Sequence, residues 1–197
     1  FYKGEVADLI VAAMNQNGGL VTHDDLANYK VVERMPVEGS FMGTKVVSMP
    51  PPSSGGVHLV QMLNILEGWD LKSLGHNSAA YVHRVAETMK YAYADRSEYL
   101  GDPDFVDVPV KALTSKSYAE MIRNKIKLDK ATPSTEIGPD PKLLRESHDT
   151  THFSVMDKWG NMVANTYTLN FTYGNGKSVA GAGFLLNNEM DDFSAKP

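Results

Sequence analysis

Apolar side chains recur at helical spacing in three stretches of the chain. The first covers residues 4–17 and ends at Gly18, a residue type that commonly stops a helix. The second follows the turn 53-SSGG-56, and the third extends from Ser78 to about Leu100. In the third helix, the stripe that we predict to face the core comprises Tyr81, Val82, Val85, Met89 and Tyr93.

Two other stretches alternate with a period of two and predict β-hairpins. In the first, VVERMPVEGSF and TKVVSMP flank the turn Met42-Gly43. In the second, which begins at Thr150, THFSVMD and MVANTYTLN flank a turn at Trp159-Gly160. A short helix is also predicted after Thr22, because Asp25 stands at capping-box spacing. Helices and antiparallel strands together predict an α+β fold.

The register of the second hairpin brings hydroxyl and amide side chains towards one end. A loop centred on Trp159-Gly160 pairs Thr151 with Thr168 and Thr150 with Leu169. Thr150 is then expected within one register step of Thr168 and of Asn170.

Residues 132–149, TPSTEIGPDPKLLRESHD, separate the helical part of the chain from this hairpin. They contain three prolines and little periodicity, and so long a run in a compact domain is usually functional or disordered. The run ends at Asp149, directly before Thr150 and Thr151. Threonine favours strands, so propensity alone is enough to explain this pair. The residues by themselves therefore leave a chemical role open.

Composition and charge narrow the classes of partner. The 197 residues are 42% hydrophobic, which is enough to bury a core, and no apolar run is long enough to cross a bilayer. A net charge of -5 without clustered Lys and Arg argues against binding to nucleic acid or an anionic membrane surface. The absence of cysteine excludes a disulfide, a thiolate zinc site and a thiol nucleophile.

Two short motifs near the end of the chain have several possible interpretations. The sequence 174-GNGKS-178 is similar to the end of a phosphate-binding loop, but Phe171 stands where that loop requires glycine, so we reject this interpretation. The acidic cluster 189-EMDD-192 is compatible with a metal site, a helix start or a receptor for an ammonium group. It lacks the alternating oxygen ligands of a calcium loop, so metal is the least favoured of the three.

The chain resembles the bacterial γ-glutamyltranspeptidases, also called glutathione hydrolases, over essentially its whole length. The segments that carry the resemblance are GGLVTHDDLANYK, SMPPPSSGG, YAYADRSEYLGDPDF, DTTHFSV, NTYTLN and GFLLNNEMDDFSAKP. The resemblance implies part of the four-layer αββα sandwich of the N-terminal-nucleophile hydrolases. It also implies that residues 1–149 are the end of a large subunit, with 132–149 as the linker before the cleavage point. Residues 150–197 would then begin the small catalytic subunit of the same precursor.

The resemblance gives Thr150 a chemical role. In this family the precursor cuts itself before a threonine, which here places the cut between Asp149 and Thr150. Cleavage frees the α-amine of Thr150, which can then act as general base for the adjacent hydroxyl. Thr168 matches the threonine that hydrogen-bonds this nucleophile. His152 is given no role, because an N-terminal amine needs no imidazole.

The resemblance also assigns the substrate pocket. Asn170 matches a residue near the α-carboxylate of the glutamyl group, and Glu189 and Asp192 match the pair that accepts hydrogen bonds from its α-ammonium. The implied reaction transfers the γ-glutamyl group of glutathione, or of a related compound, to water or to an amino acid or peptide. It needs no cofactor and no metal. Family members are periplasmic or secreted.

Three features limit what the chain is expected to do alone. It begins without Met and stops after an apolar segment, so we expect it to be part of a longer protein. The family's carboxylate-binding arginine and its Ser-Ser and Gly-Gly oxyanion hole have no match here, so the chain alone is expected to be inactive. The alternatives are a related acylase or poly-γ-glutamate depolymerase, or a non-catalytic module that is never processed.

Overall fold

The computed structural model describes residues 1–138 and 150–192. These residues form two compact units, which are residues 1–32 with 150–192, and residues 33–138. We call the second of these the helical unit. Helices and strands are combined in the chain, so the α+β class is confirmed.

The described residues form six helices and two antiparallel hairpins. The helices are α1 (Glu5–Asn17), α2 (His23–Asn28), α3 (Gly55–Leu66), α4 (Ala79–Tyr99), α5 (Val110–Leu113) and α6 (Lys116–Arg123). The strands are β1 (Val37–Phe41) paired with β2 (Thr44–Ser48), and β3 (Thr150–Met156) paired with β4 (Met162–Thr168). Single 3-10 turns occur at Ser134–Glu136 and Glu189–Asp192.

Local sequence signals set several of these boundaries. Helix α1 ends because Gly18 adopts the left-handed conformation, with φ 70°, and its N–H returns to the carbonyl oxygen of Met14. Helix α2 begins with the predicted capping box, in which Thr22 and Asp25 bond each other's backbone N–H. Ser78 caps α4 by accepting a hydrogen bond from the N–H of Tyr81.

The core of the helical unit is built around α3, which packs against β1, β2, α4 and α6. One cluster of buried residues joins α3 to β1 and α5, and it comprises Val37, Val57, Val60 and Leu113. A second cluster joins α3 to α6, and it comprises Ile65, Ala119, Ile122 and Ile126. These aliphatic contacts supply the hydrophobic stabilisation of the unit.

The apolar stripe predicted for α4 is not its buried face. Val82 and Met89 are 51% and 41% exposed, whereas the buried residues of this helix are Glu87, Thr88 and Ala92. Small residues allow neighbouring helices to approach closely, and a buried carboxylate is tolerated where hydrogen bonds satisfy it. The helix therefore buries its small and hydrogen-bonded residues and leaves part of its bulky stripe exposed.

A polar junction joins α3, α4 and α6. The Tyr118 hydroxyl donates to both carboxylate oxygens of Asp95 at 2.9 Å, and Nε2 of Gln61 donates to the same carboxylate. Burial raises the pKa of Asp95, and the hydrogen bonds from Tyr118 and Gln61 only partly offset this. Helix periodicity alone does not show that Asp95 takes part in such a junction.

In the other unit, α1 packs on the segment that follows the second hairpin. The buried residues of α1 in this cluster are Ile10, Ala13 and Met14, and they contact Val179, which is 1% exposed. Partly buried Phe184 extends the cluster. The hairpin β3–β4 itself is exposed along its whole length.

The register of β3–β4 differs from the prediction by one residue. Thr150 pairs with Thr168, and Thr151 pairs with Tyr167. The predicted pairs Thr151–Thr168 and Thr150–Leu169 are therefore wrong. The observed register places Thr150 directly opposite Thr168, closer than we predicted.

The loop of the hairpin explains this shift. The N–H of Gly160 donates to the carbonyl oxygen of Asp157 at 3.2 Å, and the N–H of Asp157 donates to the carbonyl oxygen of Asn161 at 3.0 Å. This is a three-residue loop in which Gly160, with φ 86°, occupies the left-handed position. Such a loop is centred on Trp159 alone, so every pair moves by one residue relative to a loop centred on Trp159-Gly160.

No helix within the described ranges is both long enough and apolar enough to cross a membrane.

Candidate active site

Thr150 and Thr168 face each other at the open end of the β3–β4 hairpin. They form the last pair of the ladder, and Thr150 is the first residue of its strand. Asp157 and Asn161 form a hydrogen-bonded pair next to the loop, and hydrogen-bonded and non-hydrogen-bonded pairs alternate along an antiparallel ladder. The pair Thr150–Thr168 is therefore a non-hydrogen-bonded one. Side chains at such pairs approach most closely, so the two hydroxyls share one face at short range.

The same face of the hairpin carries His152 beside this pair. Its Nδ1 is 2.7 Å from Oγ1 of Thr166, and its Nε2 is 3.3 Å from Oγ of Ser154. Both imidazole nitrogens therefore have hydroxyl partners further along the hairpin. These hydrogen bonds hold His152 against Thr166 and Ser154, on the loop side of the Thr150–Thr168 pair.

Asn170 fixes the hydroxyl of Thr168 from the side. The backbone N–H of Asn170 donates to Oγ1 of Thr168 at 2.9 Å. Asn170 is 2% exposed and has a φ of 72°, a left-handed conformation that few residues other than glycine adopt. Asparagine tolerates this conformation better than most residues, and burial holds it there.

Asn188 connects the end of β4 to the acidic turn. Its carbonyl oxygen accepts from Nδ2 of Asn170 at 3.1 Å, and its own N–H donates to the carbonyl oxygen of Leu169 at 3.1 Å. Its Oδ1 accepts from the N–H of Phe171 at 3.1 Å. Three hydrogen bonds therefore fasten the residue directly before Glu189 to the strand end that carries Thr168.

The acidic turn presents a pair of carboxylates. The N–H of Glu189 donates to Oδ1 of Asn187 at 3.0 Å, which starts the 3-10 turn Glu189–Asp192. Oε1 of Glu189 is buried and has no hydrogen-bond partner among the residues that the structure describes. Burial, and then the neighbouring carboxylate of Asp192, raise the pKa of Glu189. A cationic group at this position would relieve both effects.

The structure thus links four of the predicted site residues in one unit. Thr150, Thr168, Asn170 and Glu189 follow one another through strand pairing and hydrogen bonds, and Asp192 lies in the same turn as Glu189. The predicted cleavage partner Asp149 lies outside the described residues. Within residues 1–138 and 150–192, the structure contains no group of three or more His, Asp or Glu side chains that could hold a metal ion.

Sequence reasoning gave no role to Asn187 and Asn188. The pair stands directly before the acidic turn, and adjacent asparagines between an apolar run and a carboxylate are a recognisable signal for side-chain bonds to backbone. Asn187 caps the turn, and Asn188 ties it to β4.

Comparison with known proteins identifies relatives over the full length of the chain. The family model described as gamma-glutamyltranspeptidase matches residues 1–197. The glutathione hydrolase proenzyme of Escherichia coli is 59% identical over 197 residues, which is 100% of this chain and 34% of that protein. The chain therefore spans about a third of the length of the curated relatives that it matches.

Solved structures give the same picture. The γ-glutamyltranspeptidase of Helicobacter pylori is 50% identical, with a TM-score of 0.68, over 76% of this chain and 43% of that one. A cephalosporin acylase from Bacillus halodurans is 29% identical, with a TM-score of 0.82, over 100% of this chain and 34% of that one. Family model, sequence identity and structural similarity agree, and the chain belongs to the γ-glutamyltranspeptidase family.

Proposed function

We propose that the protein to which this chain belongs is a γ-glutamyltransferase and glutathione hydrolase with Thr150 as its nucleophile. One observation carries the proposal: Thr150 begins β3 directly opposite Thr168, whose hydroxyl is fixed by the N–H of Asn170. A threonine at the start of a strand is compatible with becoming a chain terminus, because a cut before it leaves the strand pairing intact.

The first step of the proposed chemistry is self-cleavage. Oγ1 of Thr150 attacks the carbonyl carbon of Asp149, and the peptide nitrogen of Thr150 leaves with a proton. The resulting ester between Asp149 and Thr150 is hydrolysed by water, which gives a new carboxylate on Asp149 and a free amine on Thr150. On this proposal, residues 1–149 end the large subunit, with about 132–149 as the linker before the cleavage point, and residues 150–197 begin the small one.

In turnover the freed amine acts as the base. It accepts the hydroxyl proton of Thr150 while Oγ1 attacks the γ-carbonyl carbon of the glutamyl group. The proton then passes to the amine of the departing cysteinylglycine, which leaves a γ-glutamyl ester. Water or the amine of an amino acid or peptide attacks this ester and restores the threonine. The Thr168 hydroxyl accepts from Asn170, so its own proton can be directed to the nucleophile.

The carboxylates of the acidic turn support recognition of an α-amino acid. Glu189 and Asp192 stand together, and the unpaired buried oxygen of Glu189 is an acceptor that suits the donor-only ammonium group. Asn170, fastened to the same turn through Asn188, is the proposed contact at the carboxylate end of the glutamyl group.

The test is an assay of the full-length protein on γ-glutamyl p-nitroanilide. We expect release of nitroaniline, faster release when glycylglycine is added as acceptor, and two bands on a denaturing gel. A single band without nitroaniline release would establish the non-catalytic alternative and refute the proposal.

The second candidate function is that of an acylase with the same nucleophile. The similarity to a cephalosporin acylase over the whole chain favours it. An acylase need not recognise the α-ammonium, so it would hydrolyse the des-amino glutaryl anilide at least as well as the γ-glutamyl compound. The paired carboxylates of the acidic turn favour the transferase. By resemblance to the family, we place the protein in the periplasm or outside the cell.

A further inference from the structure

A buried ion pair on α4 holds the start of the segment that leads to Thr150. Glu87 is 1% exposed, and Nζ of Lys90 lies 2.6 Å from its Oε1. The N–H of Thr132 donates to both carboxylate oxygens of Glu87, at 3.3 and 3.2 Å. The carbonyl oxygen of Thr132 accepts from Lys90 at 2.9 Å. The backbone N–H and carbonyl groups of Thr132 therefore bind two opposite charges. We call Glu87, Lys90 and Thr132 the clamp.

A second contact lies two turns further along the same helix. Gly138 approaches α4 so closely that a Cβ atom added there would lie 2.8 Å from Cβ of Ala94. Residues 87, 90, 91 and 94 share one helix face, since they are three or four positions apart. Residues 132–138 therefore run along this face, fastened at Thr132 and closely packed at Gly138.

The carboxylate of the clamp is ionised at neutral pH. Burial alone would raise the pKa of Glu87, but hydrogen bonds from Lys90 and from Thr132 outweigh it and lower the pKa. An ionised carboxylate in a low-dielectric position binds its donors more strongly than an exposed one does. The clamp is thus an anchor for the backbone and not an incidental surface pair.

We propose that the clamp and the Gly138 contact fix the point from which the pre-cleavage segment leaves the helical unit, and so position the Asp149–Thr150 bond for self-cleavage. This inference rests on the proposed function. Glu87, Lys90 and Gly138 are positioning residues in it, because they act on the orientation of the bond and not on the reacting atoms.

The length of chain between anchor and bond determines the size of the effect. With the clamp and the Gly138 contact intact, eleven residues, 139–149, separate Gly138 from Thr150. Without them, the nearest preceding buried apolar residue is Ile126, which is 7% exposed, and 23 residues, 127–149, separate it from Thr150. The probability of a defined end-to-end arrangement falls with about the 3/2 power of length, so we expect cleavage to slow about threefold.

The test follows conversion of the full-length precursor, made by cell-free synthesis, into two chains on a gel over time. In the variant Glu87→Leu with Lys90→Met both charges are removed together, so no buried charge is left unpaired. We expect its cleavage to be about threefold slower, while kcat/KM of the protein allowed to process fully stays at the wild-type value. The matched control is Glu38→Leu with Lys45→Met, which removes an exposed ion pair of 2.9 Å on the β1–β2 hairpin and should change neither quantity.

A second pair of variants tests the Gly138 contact without touching the charges. Gly138→Ala should slow cleavage, because its Cβ would clash with Ala94. Adding Ala94→Gly makes room for that Cβ and should restore the rate. The rescue would show that the loss of rate comes from this contact, and an unchanged kcat/KM of the processed protein would distinguish a positioning role from general misfolding.

The outcomes separate the two proposals. A wild-type precursor that is never cut between Asp149 and Thr150 overturns the proposed function. A wild-type precursor that is cut, with both sets of variants cut at the same rate, overturns only the positioning role. The positioning role is also overturned if cleavage and kcat/KM fall together, because that is the result of general misfolding.

Discussion

The helical unit and the β3–β4 hairpin differ in how they are stabilised. Helix α3 alone buries seven residues, and two aliphatic clusters pack around it. All fourteen residues of β3 and β4 are exposed, including Phe153 and Val155 on one face and Thr150 on the other. A two-stranded hairpin without packing on either face is marginally stable. The proposed nucleophile Thr150 and its partner Thr168 therefore lie on an element that depends on its surroundings for stability. Close aliphatic packing is concentrated in the helical unit, which carries none of the candidate site residues.

The largest expected effect concerns stability and tests this contrast directly. Ile65→Ala removes a side chain that is fully buried in the helical unit, and we expect it to cost about 3 kcal/mol in the free energy of unfolding. Val155→Ala changes a residue that is 55% exposed, and about 0.5 kcal/mol or less is expected. Urea unfolding of the two variants measures both values. Equal costs would show that the hairpin is packed as firmly as the helical core.

The next effect concerns recognition at the acidic turn. Glu189→Gln keeps the shape of the side chain but removes the charge that would face an ammonium, so kcat/KM for γ-glutamyl anilide should fall about 30-fold, equivalent to about 2 kcal/mol. The des-amino glutaryl analogue should lose far less, and Asp192→Ala should show the same preference. Asp191→Asn, in the same turn, is the matched control and should stay near wild type. A loss of equal size on both substrates would show that the acidic turn does not bind the α-ammonium group.

A smaller effect is expected at the partner of the nucleophile. Thr168→Val keeps the branched shape that a strand favours but removes the hydroxyl that is proposed to donate to the nucleophile and that accepts from the N–H of Asn170. Loss of one such hydrogen bond to the nucleophile costs about 1 kcal/mol, or roughly fivefold in turnover. Thr166→Val removes the neighbouring hydroxyl on the same face, which binds His152, and should leave turnover unchanged. If the two variants behave alike, the ordering of Thr168 is unimportant.

The smallest effect is a change in the pH dependence of stability. The pKa of Glu87 is lowered in the folded protein, so its carboxylate stabilises the fold above its ordinary pKa, and this contribution is lost as the pH falls through the lowered value. Glu87→Gln should therefore be less stable than wild type at neutral pH, and the difference should shrink in acid. Thermal unfolding at about pH 7 and about pH 3 measures this. A difference that grows in acid would contradict the ionised clamp.

Much of the fold could be predicted because it follows from local signals. The left-handed Gly18, the capping box at Thr22 and the alternation around Gly160 depend on residues close in sequence, and the helices and hairpins that they predict are present. The predicted register was wrong because a two-residue and a three-residue loop shift the pairing by one residue, and alternation alone does not determine the loop length. The prediction of the buried face of α4 was wrong because helix periodicity identifies an apolar stripe but does not show which neighbours will form hydrogen bonds with Glu87 and Asp95.

The candidate site divides in the same way. The alignment of Thr150 with Thr168 could be approached from the hairpin pattern, whereas the connection of Asn170 to Asn188 joins residues 18 positions apart and has no periodic signature. The clamp on Thr132 spans a still larger separation, because Glu87 and Thr132 are 45 positions apart. Side-chain bonds to distant backbone become visible only once the chain is folded.

The central claim is that Thr150 becomes the first residue of a separate chain, and intact mass with N-terminal sequencing of the full-length protein tests it most directly. The account predicts two chains in the wild-type protein, one of which begins Thr-Thr-His-Phe at Thr150. It also predicts one uncut chain for Thr150→Ala, and continued cleavage for Thr151→Ala. A Thr150→Ala protein that still yields two chains, or a new terminus at any other residue, would contradict it.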